Sequence, residues 1–140
     1  MKSNRITLIT LGVGDVAAAR SFYERLGLKA MDGPETIAFF DCGGFRLGLS
    51  DRAALAEEQG RPASELATGA MTLAINWGTA DAVDTAYQIA LDAGGKVVRR
   101  PANAAWGGYA GYWSDPDGHV WEYGYNPDWP LDADGWIENA

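Results

Sequence analysis

Residues 106–130 read WGGYAGYWSDPDGHVWEYGYNPDWP and hold four of the six tryptophans, four of the six tyrosines and the only histidine, His119. At their centre, Asp115-Pro116-Asp117-Gly118 is a strong turn signal: aspartate caps its own backbone, proline presets φ, and glycine accepts a positive φ. The flanking segments, residues 109–114 and 119–125, are rich in aromatic and β-branched residues and read as the two strands of a hairpin. A three-residue loop with a bulge at Gly118 would pair Asp115 with His119. Tyr112 then lies opposite Glu122, and Trp113 opposite Trp121. Strand side chains alternate, so Val120, Glu122, Gly124 and Tyr112 share one face, while Trp113, Trp121 and Tyr123 pack under a helix on the other. His119 and Glu122 are three apart and point to opposite faces. The histidine is therefore expected to serve the turn, bonded to Asp115 or to backbone.

Working outward, the hairpin ends a pattern that is written twice. Residues 6–13 form a β-rich run, Asp15 is a helix N-cap, and Val16, Ala19, Phe22, Tyr23 and Leu26 fall at helical spacing before Gly27. Strand candidates follow at 29–31, 37–40 and 45–49, with Asp41-Cys42-Gly43-Gly44 as a turn. The second half repeats the order. Residues 71–77 read as a strand, Gly78-Thr79 starts a helix with Val83, Ala86, Tyr87, Ala90 and Leu91 as its stripe, and Gly94-Gly95 closes it. Strands at 96–99, 109–114 and 119–125 complete the unit. The expected fold is α+β: one domain over residues 1–140, built of tandem βαβββ modules at 5–50 and 70–126. Their curved mixed sheets would surround a cleft, with helices outside. Residues 51–69 are a linker with a short helix over 52–59, and 127–140 form a tail whose prolines exclude regular structure.

Composition narrows the function. A chain of 140 residues with 47% hydrophobic residues suffices for a proper core without staples. Cys42, the single cysteine, excludes an internal disulfide framework and suits a reducing cytoplasm. With no histidine near it in sequence, it reads as a turn thiol rather than a nucleophile. The net charge of -8 and pI near 4.4 have the wrong sign for nucleic acid or an anionic membrane. No run approaches a membrane span, and the apolar stretch at 6–13 leads straight into a helix start, so it reads as strand rather than signal peptide.

The tandem βαβββ order resembles the vicinal oxygen chelate superfamily. So do two segments: Asp15-Val-x-x-Ala-Arg-x-Phe-Tyr-x-x-Leu-Gly27 and Asp115-Pro-Asp-Gly-His-x-x-Glu122. That superfamily includes glyoxalase I, extradiol dioxygenases, fosfomycin-resistance enzymes and bleomycin-resistance proteins. The resemblance spans residues 5 to about 126 and implies a fold more than a reaction, since this fold hosts several chemistries and pure binders. In its metalloenzymes, His, Glu or Gln from the first and last strand of each module hold a divalent cation. Carried over, those positions fall on Leu8, on Gly48, on the strand of Thr72, Ala74 and Asn76, and on Glu122. Only Glu122 matches, and one carboxylate is too few for Zn, Ni or Fe, which need about three protein ligands.

The expected reading is therefore a binder of a small, partly aromatic molecule, with no cofactor and no metal. Such relatives usually dimerise, so a cytoplasmic homodimer is expected, with neither nucleic acid nor membrane as partner. Its cleft would be lined by Thr10, Phe40, Arg46, Asn76, Tyr112 and Glu122. Trp106 and Tyr109, around the Gly107-Gly108 pair, would close over the mouth. Applying the second module's alternation to the first turns Ala38, Phe40, Arg46, Gly48 and Ser50 inward, alongside Leu8, Thr10 and Gly12. Arg46 and Glu122 have two readings: a partly buried ion pair, or an anion anchor beside a general base. The alternative function is a metal-dependent lyase, isomerase or dioxygenase of the glyoxalase type with Glu122 as catalytic ligand. A third is an interaction domain using the tryptophan-rich tail.

Overall fold

In a computed structural model that describes residues 3–138, the chain divides into two compact units, residues 1–67 and 68–140. The first comprises β1 (Leu8–Val13), α1 (Val16–Arg25), β2 (Ile37–Asp41), β3 (Arg46–Asp51) and α2 (Arg52–Gln59). Its sheet order is β1-β3-β2, with β1 parallel and β2 antiparallel to β3. Each helix starts where an aspartate accepts an early backbone N–H: Asp15 from Ala18 and Asp51 from Ala54, both at 3.0 Å. Leu11, Val13, Ala38, Phe40, Leu47 and Leu49 of the sheet form the core with Ala19, Phe22 and Tyr23 of α1.

The second unit comprises β4 (Leu73–Asn76), α3 (Ala80–Ala93), β5 (Lys96–Asn103), β6 (Tyr109–Ser114) and β7 (Val120–Tyr125). Its order, β4-β7-β6-β5, repeats that of the first unit with one further strand, β5, at the edge, and again the first and last strands form a parallel pair. Thr79 caps α3 through Ala82, and Gly94 ends it at a φ of 117°. Under α3, Trp113 and Trp121 stack with centroids 5.7 Å apart, and Tyr123 meets Trp113 edge-on at 5.4 Å. The Tyr87 hydroxyl donates to the Tyr112 carbonyl at 2.8 Å and ties α3 to β6. The fold is α+β with two mixed sheets, as expected.

Three local expectations need correction. The strand expected at 29–31 is reduced to one bridge, Ala30 to Phe40, because Asp32-Gly33-Pro34 follows and a proline cannot extend the ladder. The strand expected at 96–99 runs on to Asn103 through Pro101, tolerated because β5 is an edge strand. In the tail, Leu131 bridges Ile137, and Asp132 Oδ1 accepts the N–H groups of Asp134 and Trp136 at 2.9 Å. The prolines do not interrupt it: Pro127 precedes it, and Pro130 joins it only as an acceptor, its carbonyl taking the Glu138 N–H at 2.8 Å. The hairpin leaves Trp129 and Trp136 about half exposed, at 53% and 49%.

Candidate functional site

The second unit's hairpin is built as its turn dictates. Asp115, only 1% exposed, accepts the backbone N–H of Asp117 and of His119 on Oδ1, at 3.0 and 2.9 Å. Its own N–H donates to the His119 carbonyl, and Gly118 takes a φ of 93°. Asp115 and His119 are thus turn architecture. The resulting register sets Tyr112 opposite Glu122 and Trp113 opposite Trp121.

On the face away from α3, the half-buried Tyr112 donates its hydroxyl to Glu122 Oε2 at 2.5 Å. The phenol is pushed above its usual range, first by that hydrogen bond, then by burial and the carboxylate's charge, with Arg99 pulling the other way. Tyr112 therefore stays protonated and donating. Arg99 is paired directly with Tyr112 on β5, a placement that simple alternation from Val97 hides. A bulge lies between them: Val97 pairs with Trp113, and Arg99 with the next residue of β6. Arg100 instead acts on Tyr87, beneath α3. Arg99, Tyr112, Glu122 and Ala74 form one row across four strands. The neighbouring row holds Ala102, Ala110, Gly124 and Asn76.

Of the other expected residues in this unit, Asn76 is half-buried beside Gly124, its Oδ1 3.8 Å from where a Cβ there would stand. Trp106 is 50% exposed, and its ring folds over Gly108 so closely that any Cβ would strike it. Tyr109 is misplaced by the sequence reading. It lies three residues from Tyr112, hence on the helix side, where its hydroxyl donates to Asp84 of α3 at 2.7 Å.

In the first unit, Thr10, Gly48 and Phe39 share a face: a Cβ on Gly48 would meet the Phe39 ring at 3.1 Å and Thr10 Oγ1 at 3.4 Å. Phe40 and Ala38 face the opposite way, contrary to expectation. Phe40 is 1% exposed, with its ring 6.0 Å from that of Tyr23 on α1. The cause is loop length. The Cys42 N–H donates to the Phe45 carbonyl, closing a two-residue Gly43-Gly44 loop, whereas the second unit uses the three-residue Pro116-Asp117-Gly118. One residue fewer turns β2 over relative to β3.

Arg46 is exposed, not the partly buried member of an ion pair. It borders an open groove of about 520 Å³ with Leu8, Phe39, Asp41, Phe45 and the Gly43-Gly44 loop. Burial, chiefly, pushes the Cys42 thiol up, which keeps it protonated and fits a turn residue.

The fold's metalloenzymes would place ligands on strands β1, β3, β4 and β7. The first unit has Leu8 and Thr10 on β1 and Gly48 on β3, with the Phe39 ring against Gly48. The second has Ala74 beside Glu122, one of whose oxygens already accepts from Tyr112. Among the described residues, no group of three His, Cys, Asp or Glu side chains converges. The donor set does not fit a divalent metal.

A family model described as Glyoxalase/Bleomycin resistance protein/Dioxygenase superfamily matches residues 5–123. Among solved structures, a glyoxalase-related enzyme from Fulvimarina pelagi is 34% identical with a TM-score of 0.88, over 98% of this chain and 99% of that one. A glyoxalase/bleomycin resistance protein/dioxygenase from Nocardioides is 26% identical with a TM-score of 0.74, over 100% of this chain and 88% of that one. A lactoylglutathione lyase from Agrobacterium tumefaciens, 24% identical with a TM-score of 0.67 over 92% and 98%, is alike in fold. No curated protein matches the sequence. Two modules of like strand order, spanned by the family match except for the last two residues of β7, agree with that assignment: the chain belongs to the glyoxalase/bleomycin resistance protein/dioxygenase superfamily.

Proposed function

We propose that this protein binds a small, partly aromatic molecule without a metal ion, through the face of the second unit that carries Glu122 and Tyr112. One observation carries the reading. The carboxylate at the family's ligand position accepts a hydrogen bond from a neighbouring phenol, and its counterpart in the first unit is Gly48 with a phenyl ring against it. A lone carboxylate whose counterpart is a glycine falls short of the three protein ligands a transition metal needs, which leaves it as a hydrogen-bond acceptor for a ligand. The acidic surface supports a ligand other than nucleic acid or anionic lipid. Among the described residues no helix is long and apolar enough to cross a membrane. A homodimer in the cytoplasm belongs to the same proposal, and light scattering of the purified protein tests its oligomeric part.

Elemental analysis and melting curves test the metal-free reading. Protein purified without chelator should carry far less than one equivalent of Zn, Ni, Fe or Mn, and none of these ions should raise Tm. A metal at a hundred times its dissociation constant adds about 2.7 kcal/mol of stability, which a melt resolves. Stoichiometric metal lost on Glu122→Gln would establish instead the alternative, a metal-dependent lyase, isomerase or dioxygenase.

A further inference from the structure

Every residue of the edge strand β5 is exposed except Pro101. The strand also concentrates charge. Lys96, Arg99 and Arg100 are the only lysines or arginines after residue 67, in a stretch that carries ten aspartates and glutamates. Among them, Val97 and Val98 stand about half exposed. The tail hairpin is the complement. Residues 126–138 carry Asp128, Asp132, Asp134 and Glu138 with no lysine or arginine, and Trp129 and Trp136 are about half exposed. One surface is basic and apolar, the other acidic and apolar, and the tail leaves β5 of its own chain uncovered.

Register explains why the two surfaces call for two copies. The tail leaves β7 at Tyr125, which shares a row with Tyr109 and Asn103, at the opposite end of β5 from Lys96. Seven steps of about 3.3 Å put that row roughly 23 Å from Lys96. A two-fold axis beside this edge runs the two β5 strands antiparallel and brings each tail to the other copy's Lys96–Arg100 end. A continuous backbone ladder between the two strands is disfavoured, because register shifts lie on both sides of Arg99 and Pro101 lacks an N–H. Side-chain docking of the tail meets neither obstacle.

We propose that the tail hairpin of one copy docks on β5 of a second copy, and the second tail on the first β5, as the interface of the homodimer. The acidic tail side chains meet Lys96, Arg99 and Arg100, and Trp129 and Trp136 cover Val97 and Val98. The proposal rests on the homodimer reading above and names its interface.

Sedimentation velocity of the parent and of two charge-reversed variants tests it. Lys96→Glu/Arg100→Glu and Asp128→Lys/Asp134→Lys spare Arg99, whose charge reaches Tyr112, and Asp132, which holds the hairpin. The parent should be a dimer in dilute buffer. Raising NaCl to about 1 M should weaken it about tenfold, because charges are then screened beyond about 3 Å. Each variant alone should dimerise about a hundredfold more weakly than the parent, since both of its contacts become repulsive. Mixed in equal amounts, the two should form a heterodimer, because each β5 then meets a tail of opposite charge. Variants that had merely misfolded would not recover on mixing. Trp129→Ser should also weaken the dimer, and tryptophan emission of the parent should shift to the blue as the dimer forms. A parent dimer that withstands both reversals, or variants that do not pair on mixing, overturns this interface and leaves the homodimer reading standing. A parent that stays monomeric at every concentration overturns both.

Discussion

The Tyr112 hydroxyl donates to Glu122 Oε2 at 2.5 Å from a directly facing position on the neighbouring strand. A carboxylate half out of water thereby gains a neutral donor. Hydrogen bonds to charged groups contribute about 1.5–3 kcal/mol, and the exposed side of Glu122 recovers some of that from water. Tyr112→Phe should therefore cost about 1–2 kcal/mol in urea unfolding, and Glu122→Gln, which keeps an acceptor oxygen, should cost less. A Tyr112→Phe protein as stable as the parent would remove this bond from the account of the site.

Stability should fall at alkaline pH, and the sign follows from burial. Tyr123 and Tyr87 have phenols pushed up chiefly by burial, and Tyr112 chiefly by its bond to Glu122. Each keeps its proton in the folded state where the unfolded chain, near the ordinary value of 10, gives it up. Their contribution is whole below that pH and is lost as pH rises beyond it. The Cys42 thiol, raised from 9.0, has the same sign and begins earlier. Melting temperature should hold steady at neutral pH, then decline from about pH 9 and more steeply above about pH 10. Tyr123→Phe should make that decline shallower. A flat profile through about pH 11 would contradict the buried phenols.

The two adjacent phenylalanines of β2 should behave oppositely. Phe40 is 1% exposed against Tyr23, so Phe40→Ala should cost about 3–5 kcal/mol. Phe39 is half-buried over Gly48 and borders the groove, so Phe39→Ala should cost clearly less. Equal losses, or the reverse order, would restore the expected facing of Phe40.

That reversal shows where sequence is readable and where it is not. Helix caps, the repeat and the second hairpin's register were all legible, because each depends on residues close together in the chain: Asp15, Thr79, Asp115 with Gly118. The face of Phe40 was not, because it depends on loop length. Two hairpins with similar turn letters, Asp41-Cys-Gly-Gly and Asp115-Pro-Asp-Gly, close around two and three residues, and one residue flips a strand. Arg99 was hidden by the bulge after Val97, which breaks the alternation that would place it. Tyr109 was legible and misassigned: three residues from Tyr112, alternation alone puts it on the helix side, where Asp84 of α3 meets it. For Phe40 and Arg99 the missing information was the register of one strand against another.

The turn before Glu122 supplies the last prediction. Asp115 is 1% exposed and its Oδ1 receives the N–H groups of Asp117 and His119. Removing that acceptor leaves two backbone donors, each partly buried, without it, and an unmet donor costs about 1–3 kcal/mol. Asp115→Ala should therefore lose about 2–4 kcal/mol, the lower part of the summed range because the loop still reaches water at Pro116. Asp115→Asn keeps a side-chain oxygen at the same reach and should lose less. Because this turn sets Tyr112 against Glu122, Asp115→Ala should also weaken ligand binding at temperatures where the protein remains folded, while leaving the α1–β2 packing of the first unit unchanged. Chemical unfolding ranks the two variants, and amide exchange at β6 and β7 reads the local effect. If Asp115→Ala is as stable as the parent, with β6 and β7 equally protected, the buried aspartate does not hold the register on which the site depends.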